Sequence, residues 1–199
     1  MEIYLIRHTR PAVEKGICYG QSDLDVVDSF AEEAEQIREV LPGKISSVYS
    51  SPLQRCRKLA EHLFAEPILY HADLMELHCG RWEMMHWDEI PQAELQPWMD
   101  DFVTVRVPGG ESYEDLYART VARYKAIAGD ALPAAIVAHG GVIRSILSYL
   151  TGTPLADSFK RFPLYYGCVV KVDTLTSGFE MLSNIELVTE QHRPTGVRH

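Results

Sequence analysis

Short apolar runs alternate with amphipathic helical segments along most of the chain, and this alternation constrains the fold more than any single motif. Strand-like runs are predicted over residues 2–6, 44–51, 67–71 and 134–139. Apolar side chains recur at helical spacing over residues 29–41, 52–64, 112–127 and 140–150. Continuous apolar strands that alternate with helices are typical of parallel sheets covered on both faces. The sequence therefore predicts an α/β three-layer sandwich with a mainly parallel central sheet.

One stretch interrupts the alternation, and the chain closes with a different pattern. Residues 76–111 are irregular and contain all three Trp residues, so we expect a small cap-like insertion there. The Trp side chains either pack this insertion or cover a flat substrate. Residues 168–172 and 179–184 are typical of a closing hairpin, and the polar tail over 188–199 is expected to fray. A length of 199 residues fits one domain spanning 1–199.

Three serines occur where helices are predicted to begin. Ser29 and Glu32 match the capping-box pattern. Ser51 precedes Pro52 without a G-x-S-x-G motif, which favours a helix N-cap over a nucleophile. Ser112 follows a Pro-Gly-Gly turn and is predicted to cap the long helix behind it.

Composition excludes several classes of partner. A net charge of −9 argues against nucleic-acid binding, so any anion site must be a local basic pocket. The N-terminal apolar run is too short for a signal peptide, and no run reaches the roughly 18–20 apolar residues of a membrane span. The four Cys residues are widely separated and are predicted to be buried, reduced thiols. We therefore expect a soluble, cytoplasmic protein; its oligomeric state is left open, with a homodimer as one option.

Polar and charged residues follow the predicted strands at the points where the strands end. The first strand ends in Arg7 and His8, and Arg55 comes one turn into the helix behind the second strand. Glu76 follows the third strand, and His139 ends the fourth. Because ligands bind outside the carboxyl ends of strands in open α/β sheets, these side chains are expected to form one site.

Two interpretations compete for the histidine pair. As metal ligands, His8 and His139 would need carboxylate or thiolate companions at short spacing, and the sequence has none. As parts of a phosphate site they fit well, because Arg side chains bind phosphate through two N–H groups and an imidazole can attack phosphorus. Gly140 opens the helix behind His139, and a helix N-terminus favours an anion. We favour the anion site and leave the metal alternative open at this point.

A family resemblance rests on five motifs that occur in order: "LIRHTRP", "SSPLQRCRKLA", "LMELHCGRWE", "PGGESYEDL" and "AHGGVIR". Together they resemble the histidine phosphatase superfamily, with its phosphoglycerate mutase-like fold. Within it, "RHTRP…GICYGQSDLDV" is similar to the α-ribazole phosphatase branch. The chain departs from the common pattern at Thr9, where many members have Gly.

The resemblance implies a metal-independent phosphatase that needs no cofactor and acts on a small phosphomonoester through phosphohistidine. It implies that His8 is the nucleophile and that Glu76, in an E-x-x-x-G pattern, is the general acid. The phosphate pocket that it implies consists of Arg7, Arg55, His139 and the Gly140 amide. Gln21 either bonds a phosphate oxygen or closes a turn, and Glu83 is the rival acid. The alternatives are a phosphoglycerate mutase, a broad sugar-phosphate phosphatase, or a non-catalytic domain that binds a phospholigand.

Overall fold

The computed structural model describes residues 1–130 and 133–185 and contains one six-stranded sheet between helices. The strands are β1 Glu2–Arg7, β2 Ser47–Ser50, β3 Ile68–Tyr70, β4 Ala134–Ala138, β5 Val169–Asp173 and β6 Phe179–Ser183. The helices are α1 Phe30–Arg38, α2 Gln54–Leu63, α3 Gln92–Asp100, α4 Tyr113–Ala128, α5 Gly140–Thr151 and α6 Ser158–Arg161. Short 3-10 turns cover Ala72–Leu74, Gly80–Trp82, Trp87–Glu89 and Leu155–Asp157. The predicted tail over 188–199 lies outside the described residues.

The strand order is β3-β2-β4-β1-β5-β6. The first four strands of this order run parallel, whereas β5 and β6 form an antiparallel hairpin at one edge. The predicted α/β sheet and its closing hairpin are confirmed. In the parallel register Arg7 pairs with Ala138, so the residues that follow β1 and β4 meet at the same sheet edge.

Side chains of each strand alternate between two cores, one on each face of the sheet. Ile3 and Leu5 point into the core beneath α4 and α5, whereas Tyr4 and Ile6 pack against α1 and α2. This alternation follows from the two-residue period of a strand. The two cores give the three layers that the sequence predicts, with the carboxyl ends of the parallel strands open at one edge.

The cap-like insertion over residues 76–111 has its own small core rather than an irregular path. Trp82, Trp87 and Trp98 pack against one another, with ring centroids 5.7 to 6.3 Å apart. Helix α3 also lies in this segment, and the sequence pattern did not indicate it, because Pro97 inside the helix is a helix-breaking residue. The structure thus favours packing of the Trp side chains over a lid on the substrate.

The serine caps turn out differently from one another. Ser112 caps α4 through a complete capping box with Asp115, as predicted. The predicted capping box at Ser29 is wrong. The Ser29 hydroxyl donates to the Glu33 carboxylate and accepts from Arg10, and no side-chain cap bond forms. The reason is that these charged partners outcompete a backbone amide for the hydroxyl.

The predicted cap at Ser51 is also wrong, because α2 begins at Gln54 and Leu53 is its N-cap. Ser51 points instead into the site described below. All four cysteines are buried free thiols, as predicted. None of the described helices is long and apolar enough to cross a membrane.

Candidate active site

The ends of β1 and β4 bring two histidines together at the open edge of the sheet. His8 and His139 are 2% and 0% exposed, and their rings meet edge-on with centroids 5.1 Å apart. The main chain holds them there, because the His8 amide donates to Ala138 at 3.1 Å across the parallel pair. The sequence prediction that these strand ends form one site thus agrees with the arrangement of the two rings.

The partner of each His8 ring nitrogen indicates its protonation. Nδ1 lies 2.7 Å from the carbonyl oxygen of Thr9, which can only accept, so Nδ1 carries the proton. Nε2 is therefore unprotonated, and it accepts a hydrogen bond from the Arg55 Nε–H at 3.3 Å. Burial lowers the pKa of His8 well below its usual value, and the charges of Arg55 and Arg7 lower it further. A neutral imidazole with an unprotonated Nε2 can act as a nucleophile.

Two arginines border this imidazole, and carbonyl groups fix both of them. Arg55 is fully buried and donates to the carbonyls of Ser22 at 2.8 Å and Gly20 at 2.6 Å. Arg7 donates to the Leu164 carbonyl at 2.6 Å, and its guanidinium lies 4.0 Å from the Tyr166 ring. A carbonyl orients a guanidinium but carries no formal charge, so these contacts preserve positive charge for an anion.

His139 and Gly140 form the start of α5 on the other side of His8. The His139 Nε2 lies 2.8 Å from the Ser51 hydroxyl. Burial lowers the pKa of His139 well below its usual value, with further lowering by Arg55 and His8, so this ring is neutral as well. A Cβ atom on Gly140 would lie 3.4 Å from the Arg7 Nε, which shows that this residue faces the arginine pocket.

Glu76 lies against the first turn of α5. Its Oε2 accepts a hydrogen bond from the Gly141 amide at 3.0 Å, and its Oε1 accepts from the Leu77 amide at 2.9 Å. Its own carbonyl accepts from Gln21 Nε2 at 3.0 Å and from Arg119 Nη2 at 2.9 Å. The carboxylate is therefore held one residue beyond Gly140, at the side of the anion pocket.

Glu83 is anchored in a different way and is poorly suited to the role of rival acid. Its carboxylate accepts hydrogen bonds from the Gly20, Gln21, Ser22 and Cys79 amides and from the Ser22 hydroxyl. Burial alone would raise the pKa of Glu83, but these bonds outweigh it and the pKa is lowered. Its acceptor capacity is used in joining the segment around Gln21 to the cap, so it is best described as a structural anion.

The Gln21 side chain contacts the carbonyl of Glu76 rather than pointing its amide group at the two histidines. Its own amide donates to Glu83 at 2.8 Å. The sequence left two roles open for Gln21, a bond to a phosphate oxygen and closure of a turn. This contact favours the second role, because the Gln21 side chain fixes the backbone that carries Glu76.

Sequence reasoning missed Tyr166, which lies beside the nucleophile, and Tyr19, which bonds Tyr166. The Tyr166 ring lies 5.5 Å from the His8 ring, and its hydroxyl bonds the Tyr19 hydroxyl at 2.5 Å. Tyr19 lies within the "GICYGQSD" motif, which was a usable signal. Tyr166 lies in the loop before β5, where no periodicity or motif marks a site residue.

Thr9 is fully buried, and within residues 1–130 and 133–185 its hydroxyl finds no hydrogen-bond partner. A capping role for this hydroxyl is thereby excluded, although its backbone carbonyl holds His8. Arg144, one turn into α5, brings a further buried guanidinium close to Gly140.

Comparison with known proteins identifies the family of this chain. Residues 3–185 match the model of the histidine phosphatase superfamily, branch 1. A glucosyl-3-phosphoglycerate phosphatase from Mycolicibacterium vanbaalenii is 30% identical over 171 residues, which cover 77% of this chain and 75% of that protein.

Two solved structures share the fold over nearly the whole chain. The α-ribazole phosphatase from Shigella flexneri superposes with a TM-score of 0.78 at 22% identity, covering 91% of this chain and 94% of that one. A phosphoglycerate mutase from Thermus thermophilus has a TM-score of 0.69 at 26% identity, covering 94% of this chain and 100% of that one. The superfamily that the motifs predicted is thus confirmed: the chain belongs to the histidine phosphatase superfamily, branch 1, and is a phosphoric monoester hydrolase of that family.

Proposed function

We propose that this protein is a metal-independent phosphatase that acts through a phosphohistidine at His8 Nε2, with α-ribazole 5′-phosphate as its substrate. The observation that carries the chemistry is the hydrogen bond from His8 Nδ1 to the Thr9 carbonyl, which leaves Nε2 as a lone pair facing Arg55. Phosphoryl transfer depends mainly on positioning and on stabilisation of charge. Arg7, Arg55 and the start of α5 supply both.

In the first step, the His8 Nε2 lone pair forms a bond to phosphorus while the bond from phosphorus to the ester oxygen breaks. Glu76 gives its proton to the leaving oxygen, so the alcohol departs neutral. The equatorial phosphoryl oxygens accept hydrogen bonds from the two arginines, from His139 and from the Gly140 amide. These donors are fixed before the substrate arrives, which lowers the cost of reorganisation.

In the second step, water attacks phosphorus and the bond to Nε2 breaks, which returns a neutral His8. Glu76, now a carboxylate, takes the proton that the water loses, and inorganic phosphate leaves. The hydrogen bonds from Gly141 and Leu77 support this assignment, because they hold the Glu76 carboxyl group beside the pocket, where the same group can act in both steps. A domain that only bound phosphate would have no use for a carboxylate there, since it repels the anion.

The substrate assignment is supported by the segment that resembles the α-ribazole branch. Residues 16–26 form a wall of the pocket: Gly20 and Ser22 hold Arg55, and Tyr19 reaches Tyr166. The Tyr166 ring, 5.5 Å from the His8 ring, and the Tyr19 phenol that bonds it suit a flat aromatic base, because aromatic rings stack favourably at offset geometry. A sugar or glycerate leaving group would make less use of them.

A substrate panel tests this proposal. The panel contains α-ribazole 5′-phosphate, 3-phosphoglycerate, phosphoserine, glucosyl-3-phosphoglycerate and simple sugar phosphates. We expect α-ribazole 5′-phosphate to give the highest kcat/KM, and we expect chelators to leave the activity unchanged. His8→Ala should abolish both turnover and the acid-labile phosphoenzyme. A higher kcat/KM on 3-phosphoglycerate would overturn the assignment of α-ribazole 5′-phosphate as the substrate. Loss of activity with a chelator would overturn the metal-independent mechanism. No turnover on any ester would favour the non-catalytic alternative.

A further inference from the structure

The two histidines of the site have different kinds of hydrogen-bond partner, His8 at Nδ1 and His139 at Nε2. For His8 the partner is a carbonyl oxygen, which can only accept. For His139 it is the hydroxyl of Ser51, which can either donate or accept. The tautomer of a neutral imidazole follows from such a partner, so the identity of residue 51 bears directly on what His139 can do.

Hydrogen-bond accounting at Ser51 decides between the two tautomers. Ser51 is fully buried, and its Oγ accepts the Leu53 amide at 3.3 Å. If His139 Nε2 also donated to this oxygen, the hydroxyl hydrogen would need another acceptor. The Cys56 sulfur borders Ser51 but is a weak acceptor. Nε2, 2.8 Å away, is a stronger acceptor for the Ser51 hydrogen than this sulfur; the ring proton then lies on Nδ1, with the Cys56 sulfur 3.8 Å from it.

The surroundings of Cys56 agree with this direction. Its sulfur lies 3.4 Å from the Ala138 carbonyl oxygen, 3.4 Å from His139 Nε2 and 3.8 Å from His139 Nδ1. Burial raises the pKa of Cys56 to about 12, so the sulfur keeps its hydrogen. Both groups beside Nε2 are therefore protonated hydroxyl or thiol groups, and neither is a carboxylate or carbonyl that would hold a proton on that nitrogen.

We propose that Ser51 is a positioning residue: by donating to His139 Nε2 it keeps the imidazole proton on Nδ1, where the ring can donate to the transferred phosphoryl group. A phosphoryl oxygen only accepts, so a bare Nδ1 would repel it and a protonated Nδ1 binds it. The two rings thus use different nitrogens toward the phosphoryl group. The unprotonated Nε2 of His8 attacks phosphorus, and the Nδ1–H of His139 donates to a phosphoryl oxygen. The catalytic part of this inference rests on the proposed function, whereas the tautomer does not.

The tautomer is read directly by NMR. A long-range proton–nitrogen correlation spectrum of isotope-labelled protein distinguishes a protonated ring nitrogen from a bare one, and a His139→Gln variant assigns the His139 signals. We expect the Nδ1–H tautomer in the wild type and a substantial population of Nε2–H in Ser51→Ala. An Nε2–H tautomer in the wild type, or an unchanged spectrum in Ser51→Ala, would overturn the proposal.

Kinetics gives a second readout. With p-nitrophenyl phosphate we expect Ser51→Ala to lower kcat by about 10- to 100-fold, less than the ~10²–10³-fold cost of deleting an oxyanion donor, because the ring still visits the competent tautomer. Ser51→Thr, which keeps the hydroxyl, should recover both the spectrum and most of kcat. An unchanged kcat in Ser51→Ala would contradict the catalytic part.

The matched control is Ser50→Ala. Ser50 is equally buried, but its hydroxyl donates to the Ser51 carbonyl rather than to an imidazole. We expect Ser50→Ala to leave the His139 tautomer unchanged, and thermal unfolding of both variants separates loss of fold from loss of the hydroxyl. If the wild type showed the Nδ1–H tautomer but no phosphatase activity, the proposed function would fail while the tautomer assignment stood.

Discussion

Glu76 Oε2 accepts the Gly141 amide at 3.0 Å, so the carboxylate that borders the phosphate pocket is held by the same helix that His139 opens. One helix start thereby fixes two groups with different tasks: an imidazole for the phosphoryl oxygens and a carboxyl for the leaving group. This arrangement predicts that damage to the Glu76 anchor affects leaving-group chemistry before it affects phosphate binding.

Glu76→Gln tests the acid role directly. An amide cannot give its proton to a departing alkoxide, so hydrolysis of alkyl phosphates should slow by about 10²–10⁴-fold, the usual range for a general acid. p-Nitrophenolate leaves without a proton, so phosphoenzyme formation from p-nitrophenyl phosphate should slow much less. Single-turnover kinetics on the two esters measures the difference, and equal losses on both would return Glu83 or a structural role to consideration.

Gly141→Ala tests the anchor while leaving the chemistry of the Glu76 carboxyl group unchanged. A Cβ atom at this position would lie 2.3 Å from Glu76 Oε1, which no real contact tolerates. The carboxylate must move, and we expect the same selective loss on alkyl phosphates as in Glu76→Gln, on the order of 10-fold or more because small misplacements are costly. Gly43→Ala is the control, since a Cβ there meets nothing within 4 Å. Equal activity of the two variants would contradict the close packing.

Much of this site followed from strand order, and the remainder depended on contacts that sequence spacing does not encode. Arg7, His8 and His139 could be brought together because each ends a predicted parallel strand, and such ends share an edge. Ser51 could not be assigned, because a serine ahead of a helix has the same local pattern whether it caps the helix or holds an imidazole.

Tyr166 and α3 show the same limit in other forms. Tyr166 reaches His8 from a loop late in the chain, and loop positions have no periodicity from which a direction could be inferred. Helix α3 contains Pro97, whose residue type indicates a break, while packing of the Trp cluster stabilises the helix in spite of it. Tertiary contacts overrode the local signal at Pro97, and at Tyr166 they decided a position for which there was no local signal.

The acid limb of the pH profile should depend on the charge of Arg55. Burial lowers the pKa of His8 and the Arg55 charge lowers it further, so the nucleophile stays neutral below its ordinary value of 6.5. Removing the charge with Arg55→Gln makes protonation easier, raises the pKa of His8 and moves the acid limb of kcat/KM to higher pH. Arg55→Lys keeps the charge, so the acid limb of its kcat/KM profile should lie at nearly the same pH as in the wild type, even if kcat falls. A limb that shifts equally in both variants would mean that geometry, not charge, controls it.

Glu83→Gln should destabilise the cap at neutral pH. The folded-state pKa of Glu83 is lowered, so its contribution to stability is present above the unfolded value of 4.5 and is lost as pH falls through the folded one. The amide of Gln would direct a donor at the Gly20 and Gln21 amides, and we expect a loss of about 2 kcal/mol at pH 7.

Urea unfolding of wild type and Glu83→Gln between neutral pH and pH 3 measures this linkage. The difference in free energy of unfolding should shrink as pH falls below 4.5. Glu66→Gln, at an exposed carboxylate, serves as the control and should change little at any pH. A difference that stayed constant with pH would show that the charge of Glu83 is not what stabilises the cap.

Thr9→Val should stabilise the protein. The Thr9 hydroxyl is buried and finds no partner within the described residues, and an unsatisfied buried polar group costs free energy. Val has nearly the same shape, so the exchange should raise the free energy of unfolding by about 1 kcal/mol. Thr120, on α4, also has a buried hydroxyl without a hydrogen-bond partner among the described residues. Thr120→Val should therefore raise the free energy of unfolding by a similar amount. If urea unfolding showed a gain at Thr120 but a loss at Thr9, the Thr9 hydroxyl would have a partner in solution, and the residue beside the nucleophile would have a polar role in the site.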